Sequence, residues 1–317
     1  MKTLNAILFS SIFLLSLMQS SECYSQHKAV NRSIRNSDAN PPKSVPTFIE
    51  PVMILIPFGS FKMGTSLRER DNLLLKYAHL ETKYPQQGGW LRKSFEAEMP
   101  QHEVYLSDFR IATTPVTVAE YKLYCQAKHK KMPPAPQFNK DWRKANHPIV
   151  NICFNDARDY CIWLSSITHR SYRLPTEAEW EKVARGKMTN RRFPWGNTFN
   201  AKMLRFAQAP YSLTGGTAPV ATHPANGYGV YDMVGNVWQW CSDWYDEAYY
   251  KNSPKQNPTG PSHGEFKVIR GGSFADIEEL RVRCAYRWRD NLDDRQVVFG
   301  FRCAMSINSG SKSSNRK

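Results

Sequence analysis

Beyond Gly186 the chain abandons regular structure, and this constrains its fold more than any other feature. Gly, Pro, Asn and Trp dominate there, helical periodicity disappears, and isolated turns alternate with short apolar pieces such as Val230-Tyr231. Few long elements and many aromatics imply a loop-rich domain, its loops packed by Trp and Tyr rather than by extended sheets. The backbone of such loops must still be satisfied by side-chain hydrogen bonds, a metal ion or a disulfide. Aromatics at 13% and charged residues at 22% of 317 residues fit a globular chain with a large core and argue against disorder.

The preceding half is more regular. Met53-Ile54-Leu55-Ile56 reads as an apolar strand, and Gly59-Ser60-Phe61-Lys62-Met63 alternates as a second one after a turn. Residues 66–99 are charged and helix-compatible, and read as a solvated helical insertion over the surface. His102-Glu103-Val104-Tyr105-Leu106 and Phe109-Arg110-Ile111 alternate again. Thr117 is placed to cap a helix from Val118 to about Ala127. A second helix is expected near Asn155-Asp156 through Ser165, capped by Asn155, with Ala157, Tyr160, Cys161 and Leu164 on one face. Thr176 with Glu179 three residues later forms a capping box, which opens a third helix through Arg185.

Basic residues number 43 against 28 acidic, a balance that favours anionic partners. The charge is scattered, apart from Lys128-His129-Lys130-Lys131 and the C-terminal tail, and no nucleic-acid-binding module underlies it. Residues 1–25 resemble a secretory signal: Lys2 precedes an apolar run from Ala6 to Met18, which is short for a bilayer span. Cys23 raises lipidation, but Glu22 stands where a lipoprotein signal wants a small residue. An uncleaved anchor is the other alternative. Residues 26–48 read as a polar linker, 49–306 as the folded domain and 307–317 as a basic polar tail. The expectation is an exported protein, periplasmic or secreted, with no transmembrane segment once the signal is removed. In an oxidising compartment the seven cysteines can pair, with one left over.

A series of landmarks then appears in order. They are Ile56-Pro57-Phe58-Gly59 with Met63-Gly64, His147-Pro148-Ile149-Val150, Arg173-Leu174-Pro175-Thr176-Glu177-Ala178-Glu179-Trp180-Glu181 and Phe193-Pro194-Trp195-Gly196-Asn197. Asn226-Gly227-Tyr228-Gly229-Val230-Tyr231-Asp232-Met233-Val234-Gly235-Asn236-Val237-Trp238-Gln239-Trp240 follows. Arg270-Gly271-Gly272-Ser273-Phe274, Arg283-Cys284-Ala285 and Gly300-Phe301-Arg302-Cys303 close the set. Together, from about Met53 to Ala304, they resemble the formylglycine-generating enzyme, or sulfatase-modifying factor, family. The resemblance implies an α+β, loop-rich formylglycine-generating-enzyme fold with a C-type-lectin-like core.

The resemblance also implies where chemistry should sit, and the sequence departs from it there. The family oxidises a substrate cysteine with copper(I) held by two thiolates between the Arg-Gly-Gly-Ser turn and the following Arg-Cys-Ala. Residues 274–282 of this chain contain no cysteine. The first thiol would fall near Asp276 and the second near Glu279 to Arg281; carboxylate oxygen is a poor match for a soft cation. A family calcium loop corresponds to Asp232, Gly235, Val237 and Gln239, with Gln239 replacing a glutamate and Asp232 an asparagine. A structural calcium ion is one reading of this loop, and hydrogen bonds from Asp232 and Gln239 within the loop are the other; copper is not expected. A second family calcium site, between Phe206 and Gly216, lacks its carboxylate. The family pattern further implies a Cys161–Cys303 disulfide, whose loop of about 140 residues gives about 4–5 kcal/mol of stabilisation on chain-entropy grounds. Cys284 loses its expected partner near Ala184, and Cys125, Cys153 and Cys241 read as buried thiols.

Three functional readings follow. The first is a non-copper binding or accessory component of the cell envelope or of secretion, with a groove around Ser273, Trp238 and Arg287 taking a peptide, envelope protein or small molecule. The second is a periplasmic oxidoreductase of different chemistry, with Asp276, Glu278 and Glu279 as acid or base. Here the carboxylates could equally be loop residues on a basic protein, and His223 before Pro224 reads as a loop residue too. The sulfoxide-synthase branch needs a His-x-x-x-His-x-Glu helix, which the sequence lacks. The third is a ligand-display protein of the retroelement-diversified lectin-fold type, in which 274–298 would be the binding surface.

Overall fold

The computed structural model describes residues 48–84, 88–136, 142–188, 190–207 and 216–307. The expected signal segment, nearly all of the expected linker, the tail from 308 and most of the stretch 206–216 named for a second calcium site lie outside them. Strand β1 (Met53–Ile56) pairs antiparallel with β4 (Phe109–Ala112), which pairs with β10 (Ala304–Ser306). β10 in turn pairs with the two-residue β5 (Tyr172–Arg173), so the sheet runs β1-β4-β10-β5. β2 (Gly59–Met63) and β3 (His102–Leu106) form a separate antiparallel pair. The last sheet orders β8 (Arg287–Asn291), β7 (Phe266–Arg270), β6 (Trp238–Trp244) and β9 (Phe299–Gly300). Strands of two to seven residues, joined by long loops, give the loop-rich α+β architecture.

Local sequence explains the helices. α3 (Val118–Ala127) starts on Thr117, whose hydroxyl accepts from Glu120 N while Glu120 accepts from Thr117 N at 2.6 Å. α5 (Glu177–Arg185) starts on the Thr176–Glu179 box, as expected. α4 (Phe154–Thr168) begins slightly earlier than its sequence suggests. Cys153 stands at its N-cap and donates its backbone N–H to Asp156 Oδ2 at 3.3 Å. Asn155, expected as the cap, donates its side-chain amide to Asp293 instead.

The region 66–99 is the main departure. It forms α1 (Leu67–Lys83) and α2 (Trp90–Glu96), and neither is a solvated surface helix. Leu73, Tyr77 and Leu80 of α1, with Leu91 and Phe95 of α2, are buried in the larger core cluster beside Leu280 and Tyr286. Apolar positions 73, 77 and 80 fall on one stripe of a helix, a period hidden by the many charges around it. Glu98, just past α2, is fully buried and forms an ion pair with the buried Arg283, also accepting from Thr65 Oγ1 at 2.5 Å.

Removing one partner of a buried pair leaves the other charge uncompensated. Glu98→Ala is therefore expected to lose about 3–5 kcal/mol in urea denaturation. A loss under about 1 kcal/mol would show that the insertion is not anchored through this pair.

Candidate functional site

The Arg270-Gly271-Gly272-Ser273 turn leaves β7 and enters the interval where the chemistry was expected. Gly271 has φ +102°, and a Cβ there would lie 2.7 Å from Met233 O, so only glycine fits. Gly272, at φ +69°, would bring a Cβ to 2.7 Å from the Val282 side chain. The turn is thereby pressed against both the 232–239 loop and the far end of the interval.

Beneath the turn lies a buried charge network. Arg270 donates to Glu177 Oε1 at 3.0 Å, Glu181 Oε2 at 2.5 Å and Cys284 O at 2.7 Å. Arg287 holds both oxygens of Glu177, at 2.7 and 2.9 Å, and donates to Ala97 O at 2.8 Å. Glu181 also accepts from Arg185 and from Gly64 N. Burial pushes the Glu181 carboxyl up, but the Arg185 and Arg270 guanidiniums outweigh it, and the net shift is downward. Glu177 and Glu181, four apart on α5, share one helix face, which is why the Thr-Glu-Ala-Glu-Trp-Glu stretch can serve both arginines.

Within the interval each carboxylate has an internal partner. Asp276 Oδ2 accepts from Ser273 N at 2.8 Å and from Ser273 Oγ at 2.9 Å, closing the loop on itself. Glu278 pairs with Lys83 at 3.0 Å. Glu279 pairs with Lys76 and accepts from Tyr77 Oη at 2.5 Å. Lys76, Tyr77 and Lys83 all belong to α1, so the insertion lies across the interval and grips its acidic side chains. The expected groove is not open. Ser273, Trp238, Arg287 and Asp276 are all buried, at 1%, 4%, 3% and 8% exposure, and only Glu279 is partly accessible among the five candidates. Arg287 is a structural cation under Glu177, with Tyr250 stacked 4.1 Å away. Sequence reasoning missed α1 as a contributor, although the pairing of Glu278-Glu279 with the lysines of 76–83 was available as charge complementarity.

Neither implied metal matches its donor set. For copper(I), residues 274–282 offer no sulfur, and the oxygen donors are engaged as described. Cys284, just beyond, is buried, and burial pushes its thiol up to about 12, away from the thiolate a soft metal needs. For calcium, Gln239 Oε1 accepts from Trp180 Nε1 at 3.0 Å and from Arg302 Nε at 2.6 Å. Gln239 Nε2 donates to Asp232 O at 2.8 Å, and Arg302 Nη2 donates to Tyr231 O and Asp232 O, each at 2.8 Å. Asp232 Oδ2 accepts from Ala221 N at 2.7 Å, and Gly235 O from Val237 N at 2.8 Å. The loop is thus held by a guanidinium and an amide, and a divalent ion at Gln239 would meet Arg302. Among the described residues no cluster of three His, Cys, Asp or Glu could hold a metal. Cys161 and Cys303, for which the resemblance implied a disulfide, face each other as free thiols with sulfurs 3.9 Å apart.

A match to the sulfatase-modifying factor enzyme 1-like domain covers residues 38–307, most of the sequence. The chain belongs to this family. It is 42% identical over 173 residues to the mouse (Mus musculus) formylglycine-generating enzyme, covering 51% of this chain and 45% of that protein. It is 33% identical over 262 residues to a protein named serine/threonine-protein kinase pkn1 of Chlamydia caviae, covering 75% of this chain and 40% of that one. This member of the sulfatase-modifying factor family therefore spans about half the length, or less, of these curated relatives. Among solved structures it resembles PvdO from Pseudomonas aeruginosa, at 27% identity and a TM-score of 0.65, covering 84% of this chain and all of that one.

Beside the network, Asp243 accepts from Glu177 N and Ser242 Oγ, each at 3.0 Å. Burial, then the Glu177 carboxylate, pushes it up to about 7. A carboxyl with a raised native value contributes stability that is fully present below its unfolded value, near 3.8, and lost as pH rises through about 7. Asp243→Asn should flatten this loss, gaining roughly 2–4 kcal/mol over wild type at pH 8 and little at pH 4 in denaturant titrations. Equal pH slopes for the two proteins would refute the assignment. Calcium at millimolar concentration should leave the melting temperature of chelator-treated protein unchanged, whereas a rise of several degrees would return Gln239 and Asp232 to the role of ligands.

Proposed function

We propose that this chain is an exported binding or accessory component of the cell envelope or of secretion, working without copper-dithiol chemistry. The observation that carries the reading is the grip of α1 on the interval. Lys76 and Tyr77 engage Glu279, Lys83 engages Glu278 and Ser273 engages Asp276, so each candidate acid or base of the interval is already partnered within the protein. This engagement counts against the oxidoreductase reading. The ligand-display reading is disfavoured too, because Leu280, Val282, Arg283, Cys284, Tyr286 and Arg287 are buried and cannot vary freely.

A ligand surface has to lie elsewhere, and the nearest opening suits a peptide. A cleft of about 440 Å³ runs between the end of α2 and the loop after β6, lined by Arg70, Glu96, Met99, Asp246, Glu247 and Lys251. It adjoins the network directly, since Arg287 donates to Asp246 O at 3.2 Å and to Ala97 O. Mixed charges around an apolar floor favour an extended peptide with both signs over a simple anion.

Two measurements test the reading. The purified protein, supplied with copper(I) and oxygen, should leave a sulfatase-type cysteine peptide as the thiol in mass spectrometry; formation of the aldehyde would overturn the proposal. Peptides selected by display on the wild type should lose binding by about tenfold or more to Ala248→Trp, an exposed residue that also lines this cleft. Undiminished binding would remove the cleft from the proposal.

A further inference from the structure

We propose that a hydroxyl-lined cleft between the β3–β4 turn and the start of α5 binds a neutral saccharide; the inference is independent of the peptide cleft. The cleft encloses about 420 Å³, within the usual range for small-molecule sites, and Ser107, Asp108, Arg173, Thr176, Asn257 and Thr259 line it. It shares no residue with the peptide cleft, the 232–239 loop or the interval 274–282. Its walls come from segments far apart in sequence, and each is fixed from within. Asn257, in the left-handed region at φ +45°, accepts from Ser107 N at 2.8 Å and donates to Ser107 Oγ at 3.0 Å. Asp108 Oδ1 accepts from Phe58 N at 2.6 Å. Arg173 donates to both oxygens of the buried Glu179, each at 2.7 Å, and to Ser306 Oγ at 2.8 Å. Walls held this way are preformed, so little ordering opposes binding.

Unspent hydrogen-bonding capacity selects the ligand. Asp108 Oδ2 accepts from no group among the described residues, and the Thr259 hydroxyl has no partner there. The Ser107 and Thr176 hydroxyls only accept, from Asn257 Nδ2 and from Glu179 N at 3.1 Å, so their protons can turn to a ligand. Hydroxyls that donate and accept, beside one free carboxylate oxygen, complement the adjacent hydroxyls of a sugar ring. Leu106 and Pro258, both buried, add apolar surface for its C–H face. Charge argues against the other small ligands. Asp108 and Glu179 outnumber Arg173 and turn away an anion, and the neighbouring Lys182 spends its ammonium on Pro57 O at 2.8 Å and Gly59 O at 3.1 Å. A simple cation would meet one unpaired carboxylate and leave the hydroxyls unused.

The test is saturation-transfer nuclear magnetic resonance on the full chain with glucose, galactose, mannose and N-acetylglucosamine, against glucuronate and ethanolamine as charged controls. Transfer to at least one of the neutral sugars is expected, and neither control should displace it. Thr259→Trp, at an exposed position with no partner to lose, should weaken that binding about tenfold or more. Asp108→Asn should weaken it several-fold, and Ala248→Trp in the peptide cleft should leave it unchanged. Thermal melts check that each variant remains folded. No transfer to any of the neutral sugars would overturn the proposal, as would transfer that Thr259→Trp retains in full. Tighter binding of glucuronate would reassign the cleft to an anion, and of ethanolamine to an amine; either result would remove the saccharide.

Discussion

The structure depends on one arrangement of buried charge: Arg270 and Arg287 clasped by Glu177 and Glu181 at the centre of a domain that has little regular backbone. Burying an ion is costly, and a lone buried guanidinium would not be tolerated. Here the three segments that meet do so only when all partners are present: α5 supplies the acids, β7 and β8 the bases, and Cys284 O, Ala285 O and Ala97 O the remaining acceptors. The network thus substitutes for the sheet ladders that a loop-rich fold lacks, and fixes the turn at Gly271-Gly272 above it.

The same device recurs around it. Arg283 with Glu98 ties the helical insertion to the interval, and Arg302 with Gln239 ties the 232–239 loop to the C-terminal strand. Each arginine reaches backbone carbonyls as well as a side chain, and its planar fork of five donors does so in fixed directions. The basic excess of this chain is therefore partly interior. Arg270, Arg283 and Arg302 are among its largest fully buried side chains, so the formal charge overstates what the surface presents.

Much of the fold was legible from the residues. The boxes at Thr117–Glu120 and Thr176–Glu179 are local, and local signals survive in the folded state. The loop-rich character after Gly186 followed from composition, and the landmark motifs fixed the order of the segments. The site was less legible. Ser273, Trp238 and Arg287 were expected around a groove of a family-like domain, yet each is buried here by long-range partners that sequence distance conceals. Glu177 and Arg287 are 110 positions apart, and Lys76 and Glu279 are 203 apart. The amphipathic stripe of α1 was masked by its charges, and those charges carry the information about what it touches.

The clasp between α1 and the acidic loop bears on how this branch can change. Copper-dithiol chemistry in this interval would need sulfur at two loop positions and also an entrance for a substrate. Installing cysteines near Asp276 and Leu280 would supply the first but leave the helix lying over them, still held through Glu278 and Glu279. Retreat of the helix, in turn, would strip Leu73, Tyr77 and Leu80 from the interior. Loop and helix are thus coupled: a change in either breaks ion pairs or apolar contacts that hold the other.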